Sequence, residues 1–149
     1  MANRTTIYLH GHQRERVVKT FGASQDYHNE LAFYHKLKSY QTINKFKINL
    51  CYIISINDRL REITYEYGGS EVIYYNLNKE LKIDYQSNID RFQNLCIKLQ
   101  ILPIEFNVLM TEFDRQFHFI DFEKFHFVDD TDRINNYFKE YKETKGIPQ

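Results

Sequence analysis

Tryptophan is absent from this sequence, and cysteine, proline and glycine are scarce: two, two and five residues in 149. Two thiols cannot make a disulfide framework. Cys51 and Cys96 each lie inside an apolar segment and are expected as buried thiols in a reducing compartment. No low-complexity linker and no internal repeat breaks the chain, so the length reads as one domain. Charge of one sign is lacking too. Lys plus Arg and Asp plus Glu number 20 each, for a formal net charge of zero. That balance argues against a general nucleic-acid binder, whose footprint is a basic excess. No apolar run approaches the roughly 18 residues of a membrane span, and no apolar stretch of signal-peptide type follows the polar start at residues 1–6. The expectation is a soluble, intracellular, cytoplasmic domain with no membrane partner.

What the chain has in abundance is Phe and Tyr, 12 of each. Rings bury a large area per residue, so a compact aromatic core is expected. β-type runs at residues 6–9 and 16–21 flank a short polar insert containing Gly11, which predicts a hairpin. Ser24 or Asp26 can cap a helix running to about Tyr40, with Tyr27, Leu31, Tyr34 and Leu37 on one face. Glu30 lies on that apolar stripe, where a buried carboxylate needs a cationic partner, or else at its edge in solvent. Residues 48–56 read as a central strand, Asn57-Asp58-Arg59 as a turn, and residues 62–67 as the partner strand stopped by Gly68-Gly69. After a tyrosine-rich connector (Tyr74, Tyr75, Tyr85), Ser87 can cap a second helix with Phe92, Leu95, Cys96 and Leu99 on its face, ended by Pro103. Two short strands follow, at residues 107–110 and 117–122, around a turn at residues 112–115. A last helix capped at residues 129–132 carries Ile134, Tyr137, Phe138 and Tyr141, and the tail from Lys142 is expected to fray. Strand, strand, helix, strand, strand is the order of an α+β lobe.

The chemistry-bearing residues gather around Phe117-His118-Phe119-Ile120-Asp121-Phe122-Glu123, an apolar strand that exits onto two acids. Val17-Val18-Lys19 ends a strand and is followed by a helix carrying Glu30. Tyr65-Glu66-Tyr67-Gly68-Gly69 closes the first half of the chain, and Asn107-Val108-Leu109-Met110 stands 14 positions before Asp121. In this order the fragments resemble a protein kinase. The resemblance implies a lysine–glutamate pair in which Lys19 grips nucleotide phosphates and Glu30 holds the lysine. It implies a hinge at Glu66 and Tyr67 receiving adenine, and Mg2+ held by Asn107 and Asp121. Glu123 stands where the kinase motif has glycine, which is similar to small-molecule phosphotransferases of the same fold and adds a candidate metal ligand. The implied architecture is a kinase-like N-lobe at residues 1–69, an antiparallel sheet with one helix, and a reduced C-lobe at residues 70–149 of helix, catalytic-loop-like hairpin and terminal helix. ATP and Mg2+ are the implied cofactors.

The sequence departs from the family in three places. The position of the catalytic-loop aspartate, five before Asn107, is Leu102, which cannot orient an attacking hydroxyl. Glu105 is nearby at the wrong spacing and is a weak candidate base, with Glu123 or water as other ways to position an acceptor. The glycine-rich loop is missing, with only Gly11 in the first hairpin, and about 26 residues follow Glu123. The resemblance therefore implies a miniature, catalytically impaired ATP–Mg2+ binder. Reduced relatives of this kind occur in viruses, where they interfere with host kinases, which would place the chain in host cytoplasm with a kinase, a substrate protein or a second copy as partner. A genuine phosphotransferase on a small molecule or peptide, and a scaffold without a nucleotide site, are the alternatives. Zinc is a weaker reading: His10 and His12, and His118 and His126 around Asp121, lack the close Cys/His spacing of zinc sites. Tyr74, Tyr75 and Tyr85, if exposed, could stack bases, but they read better as packing between lobes or at a partner surface.

Overall fold

Short β-branched runs and one long aromatic stripe set the architecture. The computed structural model describes residues 3–10, 13–40 and 46–149. Strands β1 (Arg4–His10) and β2 (Gln13–Thr20) form the expected antiparallel hairpin; its turn at Gly11 and His12 lies outside the described residues. Helix α1 (Ser24–Ser39) follows, then β3 (Ile53–Asn57) and β4 (Glu62–Glu66). These strands make one antiparallel sheet in the order β1-β2-β4-β3. Beyond it come β5 (Ser70–Glu71), a 3-10 turn (Tyr74–Asn76), helix α2 (Lys79–Leu99) and β6 (Ile101–Leu102). The chain ends with β7 (Asn107–Met110), β8 (Phe117–Ile120), β9 (His126–Phe127) and helix α3 (Thr131–Lys145). β5, β7 and β8 form a second antiparallel sheet, and β6 pairs with β9. The fold is α+β with three helices and antiparallel sheets among the described residues.

The core is aromatic, as the composition predicts. Phe92 of α2 sits at its centre, its ring 4.6 Å from Phe119, 4.8 Å from Phe106 and 5.8 Å from Phe138. Offset and edge-on rings at these separations add to what their burial alone contributes. The core crosses the expected lobe boundary near residue 69. Phe33, Tyr34 and Leu37 of α1 belong to the same buried cluster as α2 and α3, and Phe33 meets Phe125 at 5.6 Å. A smaller cluster of Phe21, Tyr27, Cys51, Ile63, Tyr65 and Ile120 fills the space under the first sheet.

Several expectations are corrected. The run at residues 48–56 is not one central strand. Its first part lies along β8, with the Phe119 N–H donating to the Asn49 carbonyl at 2.8 Å and the Cys51 N–H to the Phe119 carbonyl at 3.1 Å. Only β3 joins the first sheet, and as an edge; β4, whose Ile63 and Tyr65 alternate into the core, lies inside the sheet beside β2. Helix α2 begins at Lys79, capped by the Asn78 side chain on the Leu81 N–H, so Ser87 lies in mid-helix. Tyr74 and Tyr85 are therefore buried, and of the three connector tyrosines only Tyr75 is exposed. Neither Ser24 nor Asp26 caps α1, which starts at Ala23 without a side-chain cap. The C-terminal tail is docked: Gly146 closes α3 in the left-handed conformation and Ile147 is buried.

Candidate functional site

Val17 and Lys19 of β2 line the same cavity, and Lys19 is buried, 7% exposed, between Thr5 of β1 and Ile63 of β4 in register. A buried ammonium needs acceptors. They come from the end of β8, where Asp121 takes the left-handed conformation (φ 72°), a bend that Asp tolerates better than most residues. Lys19 Nζ donates to Asp121 Oδ1 at 2.9 Å and to Glu123 Oε1 at 3.0 Å, and lies 4.9 Å from the Phe21 ring centroid. Burial works to lower the Lys19 pKa, but Asp121, Glu30 and Glu123 outweigh it and raise it above its ordinary value, so the side chain is charged.

One face of α1 holds the acids in place. Asp26, Asn29, Glu30 and Phe33 follow i, i+3, i+4, i+7 spacing, and all four engage the segment after β8. Asp26 pairs with Lys124 at 3.1 Å. The Asn29 Nδ2 donates to the carbonyls of Glu123 and Phe125, both at 2.8 Å. Glu30 accepts the Phe122 N–H on one oxygen and the Tyr65 hydroxyl, at 2.8 Å, on the other. Glu30 is thus buried, not at a solvated edge, and its hydrogen-bonding partners are neutral donors. Among the described residues no ion pair joins it to Lys19. The lysine acts on it through space only, and burial pushes its pKa up to about 8.

Lys19, Glu66, Tyr67, Asn107 and Asp121 line one cavity of about 200 Å³, with Val17, Tyr65, Leu109 and Ile120 as apolar wall. Five residues chosen from sequence therefore converge, and Glu30 stands directly behind them. Clefts that enclose drug-sized ligands run to roughly 300–1,000 Å³, so this one encloses a ring-sized portion of a ligand. A wider hollow of about 980 Å³ shares Tyr67 with it and is rimmed by Phe113, Met110 and Glu112. It holds no lysine or arginine, and the smaller cavity is where the candidate chemistry lies. Cys51 also borders the small cavity, but burial pushes its thiol up to about 12, which removes it as a nucleophile.

Glu105 does not join this group. It is exposed on the turn before β7, tied through its N–H to the Tyr137 hydroxyl at 3.0 Å. Leu102 is buried in β6 opposite His126. The Asn107 amide oxygen accepts the Val108 N–H at 2.9 Å. Among the described residues no group of three or more His, Cys, Asp and Glu side chains is placed to hold a metal. Sequence reading missed Asn29, Tyr65 and Cys51. Asn29 was within reach of it, being polar and next to Glu30 on the helix; Tyr65 reads only as another strand aromatic.

No family profile matches the chain, and comparison with curated proteins returns no match. The chemistry of the site rests on its own geometry. Lys19, Asp121 and Glu123 sum to one net negative charge, and Glu30, when ionised, adds a second. A bare anion entering here meets repulsion; an anion accompanied by a cation does not. Glu123 has one oxygen on Lys19, while its other, Oε2, is buried without a hydrogen-bond partner. Mg2+ takes only one or two carboxylates and fills its shell with phosphate and water, so Asp121 and Glu123 fit the role without a third protein ligand. Among the described residues no helix is long and apolar enough to cross a membrane.

Proposed function

We propose that the chain is a kinase-like nucleotide-binding protein in which ATP enters with Mg2+ at the Lys19 cavity and phosphoryl transfer is impaired. The observation that carries this reading is the convergence of Lys19, Glu66, Tyr67, Asn107 and Asp121 on one cavity. The apolar wall suits the face of a base, and Gly68 and Gly69, which have no side chains, border the cavity with main-chain atoms. Lys19 would turn its ammonium to a phosphate, and Asp121 and Glu123, relieved of part of that contact, would hold the metal. The metal supplies charge neutralisation of the phosphates. The helix inserted between β2 and β3 of an antiparallel sheet supports this reading, while Glu30, buried behind the lysine, among the described residues makes no ion pair with it where the resemblance implies one. Impairment follows from Leu102, a buried hydrocarbon where the family has its base, and from Glu105, which lies off the cavity. Binding would then be the protein's output, exerted on a protein partner such as a kinase or its substrate.

Thermal denaturation with ATP tests this, with and without magnesium. At 100 times its dissociation constant Mg–ATP should add about 2.7 kcal/mol of stability. ATP in EDTA should add little, because the site is net negative. Lys19→Met should abolish the response. An unchanged melting temperature with Mg–ATP in the wild-type chain would refute nucleotide binding.

A further inference from the structure

Beside the start of β8 lies a hollow of about 420 Å³ that shares no residue with the Lys19 cavity. Three cationic side chains from three separate parts of the fold line it: Lys47 from the segment before β3, Arg91 from the middle of α2, and Arg115 from the β7–β8 turn. Asn49 and Gln116 add amide groups, in contact with each other at 3.5 Å, and Asp84 is the one acid in the lining. The chain as a whole has as many acids as bases, yet among the described residues none of these three cations makes an ion pair. The Arg91 Nε is buried without a hydrogen-bond partner, which is costly for a charged donor. Arg115 stands at φ 53°, a left-handed position unusual for arginine, fixed there by its N–H on the Thr111 carbonyl at 3.1 Å.

Like charges gathered in a concavity repel one another unless something of opposite sign sits between them. Here the lining sums to two net positive charges, the charge a phosphate monoester carries near neutral pH with opposite sign. Guanidinium groups offer paired N–H donors that match phosphate oxygens, and two of the three cations are arginines. The hollow is larger than a phosphate and within the range of small-molecule pockets, so there is room for the group esterified to it. We propose that this hollow is a binding site for a small phosphate monoester, independent of the nucleotide reading.

The test is calorimetric titration of the full chain with phenyl phosphate and, separately, with inorganic phosphate. Phenyl phosphate should bind with a dissociation constant in the micromolar to low millimolar range, more tightly than inorganic phosphate. Arg91→Gln and Arg115→Asn should each weaken it tenfold or more; asparagine is chosen because it tolerates the left-handed backbone. Lys19→Met should leave the affinity unchanged. No heat of binding, or affinity lost in the Lys19 variant and kept in both arginine variants, would overturn the assignment. Equal affinity for the two probes would overturn its ester part. Circular dichroism of the variants separates loss of the site from loss of the fold, and Arg115, being exposed on a turn, is the variant expected to keep native structure.

Discussion

At Glu30 burial and hydrogen bonding pull in opposite directions. Burial favours the protonated acid and pushes the pKa from 4.5 up to about 8, while the charge of Lys19 and the Tyr65 hydroxyl favour the carboxylate. An acid whose folded pKa exceeds its unfolded value binds its proton more tightly in the native state. The stability linked to it is present in full below about 4.5 and is lost as pH rises through about 8. Lys19 titrates in another window: with its pKa raised above 10.5, its contribution is complete throughout this range and is lost only at higher pH. The melting temperature of the wild-type chain should therefore fall between pH 5 and pH 8.5. Glu30→Gln imitates the protonated acid, its amide oxygen able to accept the Phe122 N–H and its NH2 able to donate to the Tyr65 hydroxyl, so it should start near the wild type at pH 5. Its melting temperature should then stay flat across the same range. Parallel slopes for the two proteins would show that Glu30 does not titrate there. The spacing of Glu30 to Tyr27, Tyr34 and Leu37 set it on the apolar stripe and left open whether it was buried or at a solvated edge. Its donors were not legible, since Tyr65 and Phe122 lie 35 and 92 positions away and a hydrogen bond to a main-chain N–H leaves no trace in residue type.

Elements were legible where periodicity had a clean boundary. The β7–β8 hairpin and α3 carry strong turn and cap signals, and Asp130 caps α3 through the N–H groups of Asp132 and Arg133. Ser87 imitates a cap and makes the expected α2 nine residues too short. The stripe Leu81, Tyr85, Ile89, Phe92 in fact continues upstream to the true cap at Asn78. The link between the two sheets is another matter: Gly68-Gly69 reads as a stop, but what it permits is a close approach. Gly69 has φ +105°, and a Cβ there would lie 2.0 Å from the Met110 carbonyl oxygen, so only glycine lets β5 settle on β7. Gly146 has φ +74° with open space around its missing Cβ. Gly146→Ala should therefore cost only the backbone preference, about 1–2 kcal/mol. Gly69→Ala adds a backbone clash to the strain and should cost roughly 2–4 kcal/mol. Urea denaturation of both variants measures the difference; equal losses would mean that β5 is free to move away from β7.

At the scale of the whole molecule, the first sheet ends in an edge strand. β3 is the last strand of the first sheet, and no strand among the described residues pairs with its outer side. Natural edges are protected by charge, proline or a bulge; Tyr52-Ile53-Ile54-Ser55-Ile56-Asn57 contains neither charge nor proline, and its pairing with β4 shifts register between Ile53 and Ser55. Lys38 lies 5.2 Å from the Tyr52 ring centroid and partly covers it, while Ile54 and Ile56 remain about half exposed. A second copy as partner was among the expectations from the sequence, though not at this edge, because residues 48–56 looked like an interior strand. An antiparallel edge is self-complementary: a second copy turned by a two-fold axis presents the same strand in the pairing direction. We expect the chain to dimerise through β3, with a fraction of dimer that rises with concentration and changes little with salt, since no charged residue lies in the pairing run. Light scattering coupled to size exclusion would show it. The double variant Ile54→Lys, Ile56→Lys places charges on both copies of the edge and should give a monomer with an unchanged circular dichroism spectrum, because neither side chain contributes to the buried core. A wild-type chain that stays monomeric at hundreds of micromolar, or a double variant that still dimerises, would remove β3 as the interface.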